Sequence, residues 1–172
     1  AIGMACCILI LLWVQDELSY DRFHENADKI YRVNSVNHAA GAEAYAAGSP
    51  SPIGQTLVEE YPEVTDFTRV QSGWTGWNFQ YGDKNFIEEK LVTADPSFFE
   101  IFHFPFIQGD PKTALQERHS VVLTKELARK SFGDEDPMGK IIQMDDIEMK
   151  VTGVIENIPR NSHLQFDYAF PI

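Results

Sequence analysis

Five histidines, His24, His38, His103, His119 and His163, are the side chains in this sequence best suited to metal binding or proton transfer. Their spacing argues against a metal, because no H-x-x-x-H or H-x-H pair sets two imidazoles on one helix turn or one strand face. They read as solvated or core histidines. Ser120 lacks the glycines of a G-x-S-x-G elbow, and no G-x-x-x-x-G-K-[ST] phosphate loop occurs, so neither a nucleophile nor a nucleotide has a seat. The acidic run Asp134, Glu135 and Asp136 lacks the glycine-containing ligand spacing of a calcium loop and reads as a solvated turn. The sequence therefore points to no catalytic residue, no metal and no cofactor, and to a non-enzymatic chain.

Binding has one candidate. In SGWTGWNF, Ser72 to Phe79, Trp74, Trp77 and Phe79 sit among glycines, where aromatic rings can form an exposed stacking surface for a peptide or a glycan. The competing reading has Trp74 and Trp77 covering a sheet edge.

The elements that carry these residues begin with a charge-free apolar run, Ala1 to Val14, which gives way to QDELSYDRFHENADKIYRV, Gln15 to Val33. A helix that crosses the bilayer core needs about 20 apolar residues, so this run reads as the end of a membrane helix already under way. A buried helix of a soluble core is the alternative. A secretory signal fits less well, since no basic residues precede the run and Trp13, Gln15, Asp16 and Glu17 stand where a small-residue cleavage site would. Trp13 suits the membrane interface, and the acidic flank, with Arg22 its first base, favours an extracytoplasmic location for residues 15–172.

The formal charge is −12, from 14 basic and 26 acidic residues, and all of it lies beyond residue 14. Such a field repels phosphate, which excludes nucleic acid as a partner. The cysteines, Cys6 and Cys7, are neighbours in the apolar run, so the aqueous part carries no disulfide.

Along that part, Tyr20, Phe23, Ala27, Ile30 and Tyr31 recur at helical spacing, and Ile30 to Val36 reads as a first strand. His38 to Gly48 reads as a loop. Ser51 and Pro52 open an amphipathic helix that Pro62 stops. Val64 to Val70 and Asn78 to Tyr81 read as strands, the second turning through Gly82-Asp83 into a strand from Asn85 to Thr93. Asp95 and Pro96 open a short helix through Phe102, and the phenylalanines at 98, 99, 102, 104 and 106 read as core. Ser120 to Leu123 is a strand, Thr124 caps a helix through Phe132, and Gly133 ends it. Strands are expected at Lys140 to Met144, Ile147 to Ile155 and His163 to Phe170, so that the chain reads as stopping inside the domain.

Four segments carry a resemblance: Val14 to Val33; LVTADPSFFEIFHFPFIQGDP, Leu91 to Pro111; SVVLTKELARKSFGDEDPMGK, Ser120 to Lys140; and VTGVIENIPRNSH, Val151 to His163. In order and spacing they resemble the MacB-like periplasmic core domain of FtsX-type ABC transporter permeases. The resemblance implies an α+β fold with a mixed βαβ-type lobe and an inserted second lobe, residues 1–14 being the end of the first transmembrane helix and 15–172 an incomplete periplasmic core domain. It further implies a bacterial inner-membrane permease subunit with three later membrane helices, a separate or fused ABC ATPase, a second permease copy as dimer partner, lipid around residues 1–14, and a periplasmic or outer-membrane partner. Such permeases pass ATP-driven motion to the periplasm, a process called mechanotransmission, in efflux or extraction of substrates. A stiff link suits that task, and Gln15 to Val33 contains neither Gly nor Pro. The alternative function is a membrane-anchored extracytoplasmic sensory domain that binds a ligand.

Overall fold

The structure, a computed structural model, describes residues 2–39, 42–73 and 76–172. In chain order the elements are α1 (Ile2–Glu17), a short 3-10 turn (Ala27–Lys29), β1 (Ser35–Ala39), β2 (Ala42–Ala46), α2 (Ile53–Glu60), β3 (Val70–Ser72), β4 (Trp77–Tyr81), β5 (Lys84–Glu88), β6 (Leu91–Ala94), α3 (Phe98–Ile101), β7 (Phe106–Gly109), β8 (Ser120–Thr124), α4 (Lys125–Phe132), β9 (Ile141–Met144), β10 (Ile147–Ile155) and β11 (Tyr168–Pro171). This is the mixed α+β class that the sequence implies.

Nine strands form one sheet in the order β3-β6-β11-β8-β10-β9-β4-β5, with β7 against the second half of β10. The β6–β11 and β8–β10 pairs are parallel and the others antiparallel. Helix α4 lies between β8 and β10 in sequence and makes that pair a βαβ unit.

The centre of the sheet is covered on both faces, which explains its uninterrupted apolar runs. Leu91, Val121, Leu123 and Tyr168 point to one face and pack with Leu127, Ala128 and Phe132 of α4. Their alternating neighbours Val92, Val122 and Ala169 point to the other and meet Phe98, Phe99, Phe104 and Phe166. The phenylalanine cluster is thus core, as its density suggested.

Local chemistry fixes several ends. The Leu127 amide donates to the Thr124 hydroxyl at the start of α4, and Gly133, at φ 66°, ends the helix. Lys84 donates its ammonium to the carbonyls of Lys130 and Ser131 at the same end, tying α4 to the β4–β5 turn. Gly109 has φ 93°, and a Cβ there would lie 2.5 Å from the Thr152 carbonyl oxygen, so only glycine lets β7 close on β10. Arg69 grips Asp95 through Nε and a terminal nitrogen while its other terminal nitrogen donates to Ser51, 2.7 Å away, which fastens the start of α2 to the β6–α3 corner. Ser51 therefore serves that guanidinium, and α2 begins at Ile53 behind an N-cap Pro52 that makes no side-chain cap bond.

Several sequence expectations change. Residues 18–26 are turns, because Asp21 takes φ 56°, which a helix cannot hold, and the first strand starts at Ser35. The expected loop from His38 to Gly48 is largely the hairpin β1–β2, in which Val36 opposes Tyr45 and His38 opposes Glu43. Its alanines lack strand propensity, yet an antiparallel ladder is made by the backbone, and the cross-strand pairs hold the register. The strand expected from Asn85 to Thr93 is two strands. It breaks at Glu89-Lys90 because β5 must run back along β4 at one edge of the sheet while β6 joins β11 toward the other. Of Val64 to Val70 only the last residue pairs, and of His163 to Phe170 only residues from Tyr168 onward.

Candidate functional site

The connection between α1 and the sheet is the most constructed polar feature of the molecule. Helix α1 ends at Glu17, and the next turn meets the loop between β10 and β11, 142 residues away in sequence. Asn161 donates from its side-chain amide to the Ser19 carbonyl at 3.1 Å and to the Ser19 hydroxyl at 3.0 Å, while its own carbonyl accepts the Asp21 amide at 2.9 Å. The Asp21 carboxylate reaches back in two-pronged fashion. It accepts the His163 amide at 3.0 Å on one oxygen and the His163 Nδ1–H at 2.6 Å on the other. The ring of Tyr20 lies 4.8 Å from that of His163. Positive φ at Asp21 is what turns both its amide and its carboxylate toward one loop, and aspartate is among the few residues that tolerate it.

Burial alone would push the Asp21 carboxyl up, but the His163 backbone and ring N–H groups, with Ser162, outweigh it and hold Asp21 below the ordinary carboxylate value. It stays an anion and keeps both acceptor oxygens.

Three residues on, the chain enters the core. His24 is 4% exposed, with its ring 4.0 Å from Phe23, 5.3 Å from Phe102 and 5.1 Å from Phe104. Its Nδ1–H donates to the His103 carbonyl at 3.2 Å. Its Nε2 is buried without a hydrogen-bond partner among the described residues. Burial pushes the His24 imidazole below its ordinary value; the His103 carbonyl and Asp21 oppose this only in part, and the His103 side chain adds to it. His103 itself lies 3.6 Å from Glu25.

Together these contacts form a clasp with an outer half, Ser19 and Asp21 on Asn161 and His163, and an inner half, His24 on the α3–β7 connection. The sequence places His24, His103 and His163 far apart, and the fold gathers them around one turn. Among the described residues, no group of three or more His, Cys, Asp or Glu side chains is placed to hold a metal ion. The arrangement joins the turn that follows α1 to the loop between two central strands.

The aromatic candidates fall elsewhere. Trp77 is half-buried with its ring 5.7 Å from Phe170, and Trp74 lies outside the described residues. Phe79 cannot offer a stacking surface, because its place on β4 turns it into the core, 5.2 Å from Phe86 and 6.0 Å from Tyr168. Ser120 donates to the Glu117 carbonyl, and in the acidic turn Glu135 pairs with Lys140 while Asp136 accepts the Met138 amide.

Helix α1 itself is apolar and exposed all round, with Leu9 at 66% and Leu11 at 67%. At 16 residues it is too short to count as a membrane span, and no helix among the described residues is long and apolar enough to cross one.

The sequence pattern of the MacB-like periplasmic core domain matches residues 1–171. The chain belongs to this family. The macrolide export ATP-binding/permease protein MacB of Syntrophobacter fumaroxidans (strain DSM 10017 / MPOB) is 25% identical over 124 residues, which are 68% of this chain and 17% of that protein. A crystallised domain assigned to a permease protein of Porphyromonas gingivalis superposes with a TM-score of 0.65 at 25% identity, covering 76% of this chain and 56% of that one. The periplasmic region of MacB from Actinobacillus actinomycetemcomitans shares the fold, with a TM-score of 0.52 at 21% identity over 69% of this chain and 52% of its own. The chain thus spans about half of the solved relatives and a sixth of the curated one. In this MacB-like domain the clasp residues missed by sequence reasoning, Ser19, Asp21, Asn161 and His163, form no local pattern. The sole signal was their presence in two of the four segments that carry the resemblance.

Proposed function

We propose that this chain is the extracytoplasmic part of an ABC transporter permease of the bacterial inner membrane, and that the clasp passes movement of its membrane helix into the periplasmic sheet. One observation carries the reading: an apolar helix that no described residue covers is fastened through Ser19 and Asp21 to the loop between two central strands. Sixteen residues rise about 24 Å, most of a hydrocarbon core about 30 Å thick, and the helix carries no charge before Asp16. Lipid is the natural cover for such a surface, with Trp13 at the interface.

The ATPase that drives the movement resides in a partner subunit or in another part of the same polypeptide; the Syntrophobacter relative's name joins both functions. Two permease copies move together, and the work done in the periplasm is efflux or extraction of a substrate, with a periplasmic or outer-membrane partner at the far end.

The test uses the full permease with its ATPase in lipid nanodiscs, with Cys6 and Cys7 replaced by serine and a spin label at Glu148→Cys in each copy. ATP should change the label-to-label distance in the otherwise unaltered protein. Asp21→Ala combined with Asn161→Ala should leave ATP hydrolysis running while that change is lost. No ATP-dependent change in the parent, or an equal change in the double variant, would sink the reading.

A further inference from the structure

The two halves of the clasp differ in how they meet acid. The inner half rests on a neutral ring. Because a carbonyl can only accept, His24 must carry its proton on Nδ1 to bond His103, which leaves Nε2 as a bare lone pair in a pocket walled by Phe23, Phe102 and Phe104. A second proton would place an N–H bearing positive charge where the described residues offer no acceptor, a state that burial disfavours strongly. The charged and titratable groups that face this ring are few. Asp21 on its own segment favours the added charge. His103, from the α3–β7 connection, opposes it and is itself next to Glu25. His163, from the β10–β11 loop, is engaged with Asp21 instead.

The outer half does not share that sensitivity. The Asp21 carboxylate accepts the His163 amide and Nδ1–H, and its neighbours hold its ionised form below the ordinary carboxylate range, so mild acid leaves its acceptor oxygens in place.

We propose that the clasp is a one-sided pH switch: acidification expels the His24 ring from the phenylalanine pocket and frees residues 22–29, while the Asp21–His163 hold stays closed. The sign follows from the direction of the His24 shift. A folded imidazole that titrates below its ordinary 6.5 gives docking its full strength above that pH and loses it as pH falls from there toward the folded value. One proton can change the open population by at most about tenfold per pH unit. In a periplasm that acidifies with its surroundings, the helix would stay attached at one point and lose the second, so transmitted movement would be softened. That consequence rests on the coupling role proposed above; the titration does not.

Amide hydrogen exchange of the chain in detergent micelles, corrected for intrinsic pH dependence, separates the halves. The Ala27 amide donates to the His24 carbonyl and reports the inner half, and the Asp21 amide, bound to the Asn161 carbonyl, reports the outer. Between pH 7.5 and 5.5 Ala27 should lose protection by up to about tenfold per pH unit in the titrating range while Asp21 keeps its own. His24→Leu should abolish the pH dependence at Ala27. Should that variant not fold, the parent protein decides alone: its His24 ring, followed by NMR, must titrate below 6.5. A His24 midpoint at or above that value, parallel loss at Ala27 and Asp21, or pH dependence surviving in His24→Leu would each overturn the proposal. Absence of ATP-driven movement in the permease would remove the coupling role and leave these results standing.

Discussion

Replacing Asp21 by Asn, Gly and Ala separates what its carboxylate does from what its backbone does. The carboxylate accepts two bonds from His163, and the backbone sits at φ 56°. Bonds to a charged group are about twice as strong as neutral ones, which contribute about 1 kcal/mol net. The side chain is 35% exposed, so screening keeps the values at the low end. Asn keeps the fork's shape and tolerates positive φ, so Asp21→Asn should weaken docking of the turn by about 1 kcal/mol. Gly loses both bonds but holds φ freely, at about 2–3 kcal/mol. Ala loses both and adds about 1–2 kcal/mol for a Cβ in the left-handed region, which makes it the worst of the three. Exchange of the Asp21 amide measures this directly, since each 1.4 kcal/mol is about tenfold in rate. Because the folded carboxyl titrates below its ordinary 3.8, its contribution is complete above that pH and fades as pH falls through the folded value. The gap between wild type and Asp21→Asn should therefore close in strong acid. Equal effects of Asn and Ala would show that neither the carboxylate nor the turn geometry holds the junction.

Three further substitutions test the packing that supports it. Arg69→Lys cannot keep the fork on Asp95 and the bond to Ser51 together, and should lower stability by about 1–3 kcal/mol in denaturant titration. Gly109→Ala should cost about 2–4 kcal/mol, more than typical surface changes, because the new Cβ meets backbone atoms of Thr152 and Gly153 that cannot yield. Asp167 is pushed up by burial, with Lys90 opposing and Glu88 adding to the shift. A raised carboxyl destabilises the fold at neutral pH, so Asp167→Asn should raise the melting temperature at pH 7 and do so less at pH 4.

How much of this was legible depended on how local the cause was. The β8–α4 unit could be read because Thr124, the apolar spacing of Leu127 and Phe132, and Gly133 act within one helix. The two-faced centre of the sheet could be read as apolar runs, VVL in β8 being the clearest. The split between β5 and β6 could not, since Glu89-Lys90 looks like any polar pair and the break is imposed by strands placed on opposite sides of the sheet. Phe79 illustrates the same limit, as only its partners across the strand decide that it faces Tyr168 and not solvent. The clasp was invisible for a stronger reason: Asp21 and His163 mean nothing apart, and no spacing rule links residues 142 positions apart.

The place of β11 has a consequence for how the molecule is made. It lies between β6 and β8, which do not pair with each other among the described residues, so there the β3–β6 pair and the block from β8 to β5 are joined into one sheet through it. It also follows the other eight described strands of that sheet in sequence. During synthesis and export both blocks must wait, edges open, until residues 168–171 arrive, and the loop that receives Ser19 and Asp21 arrives just before them. Long-range pairing of this kind is slow, and exposed strand edges invite mispairing in the interval. A chaperone that shields nascent β edges would therefore matter most for this domain between the emergence of β8 and that of β11.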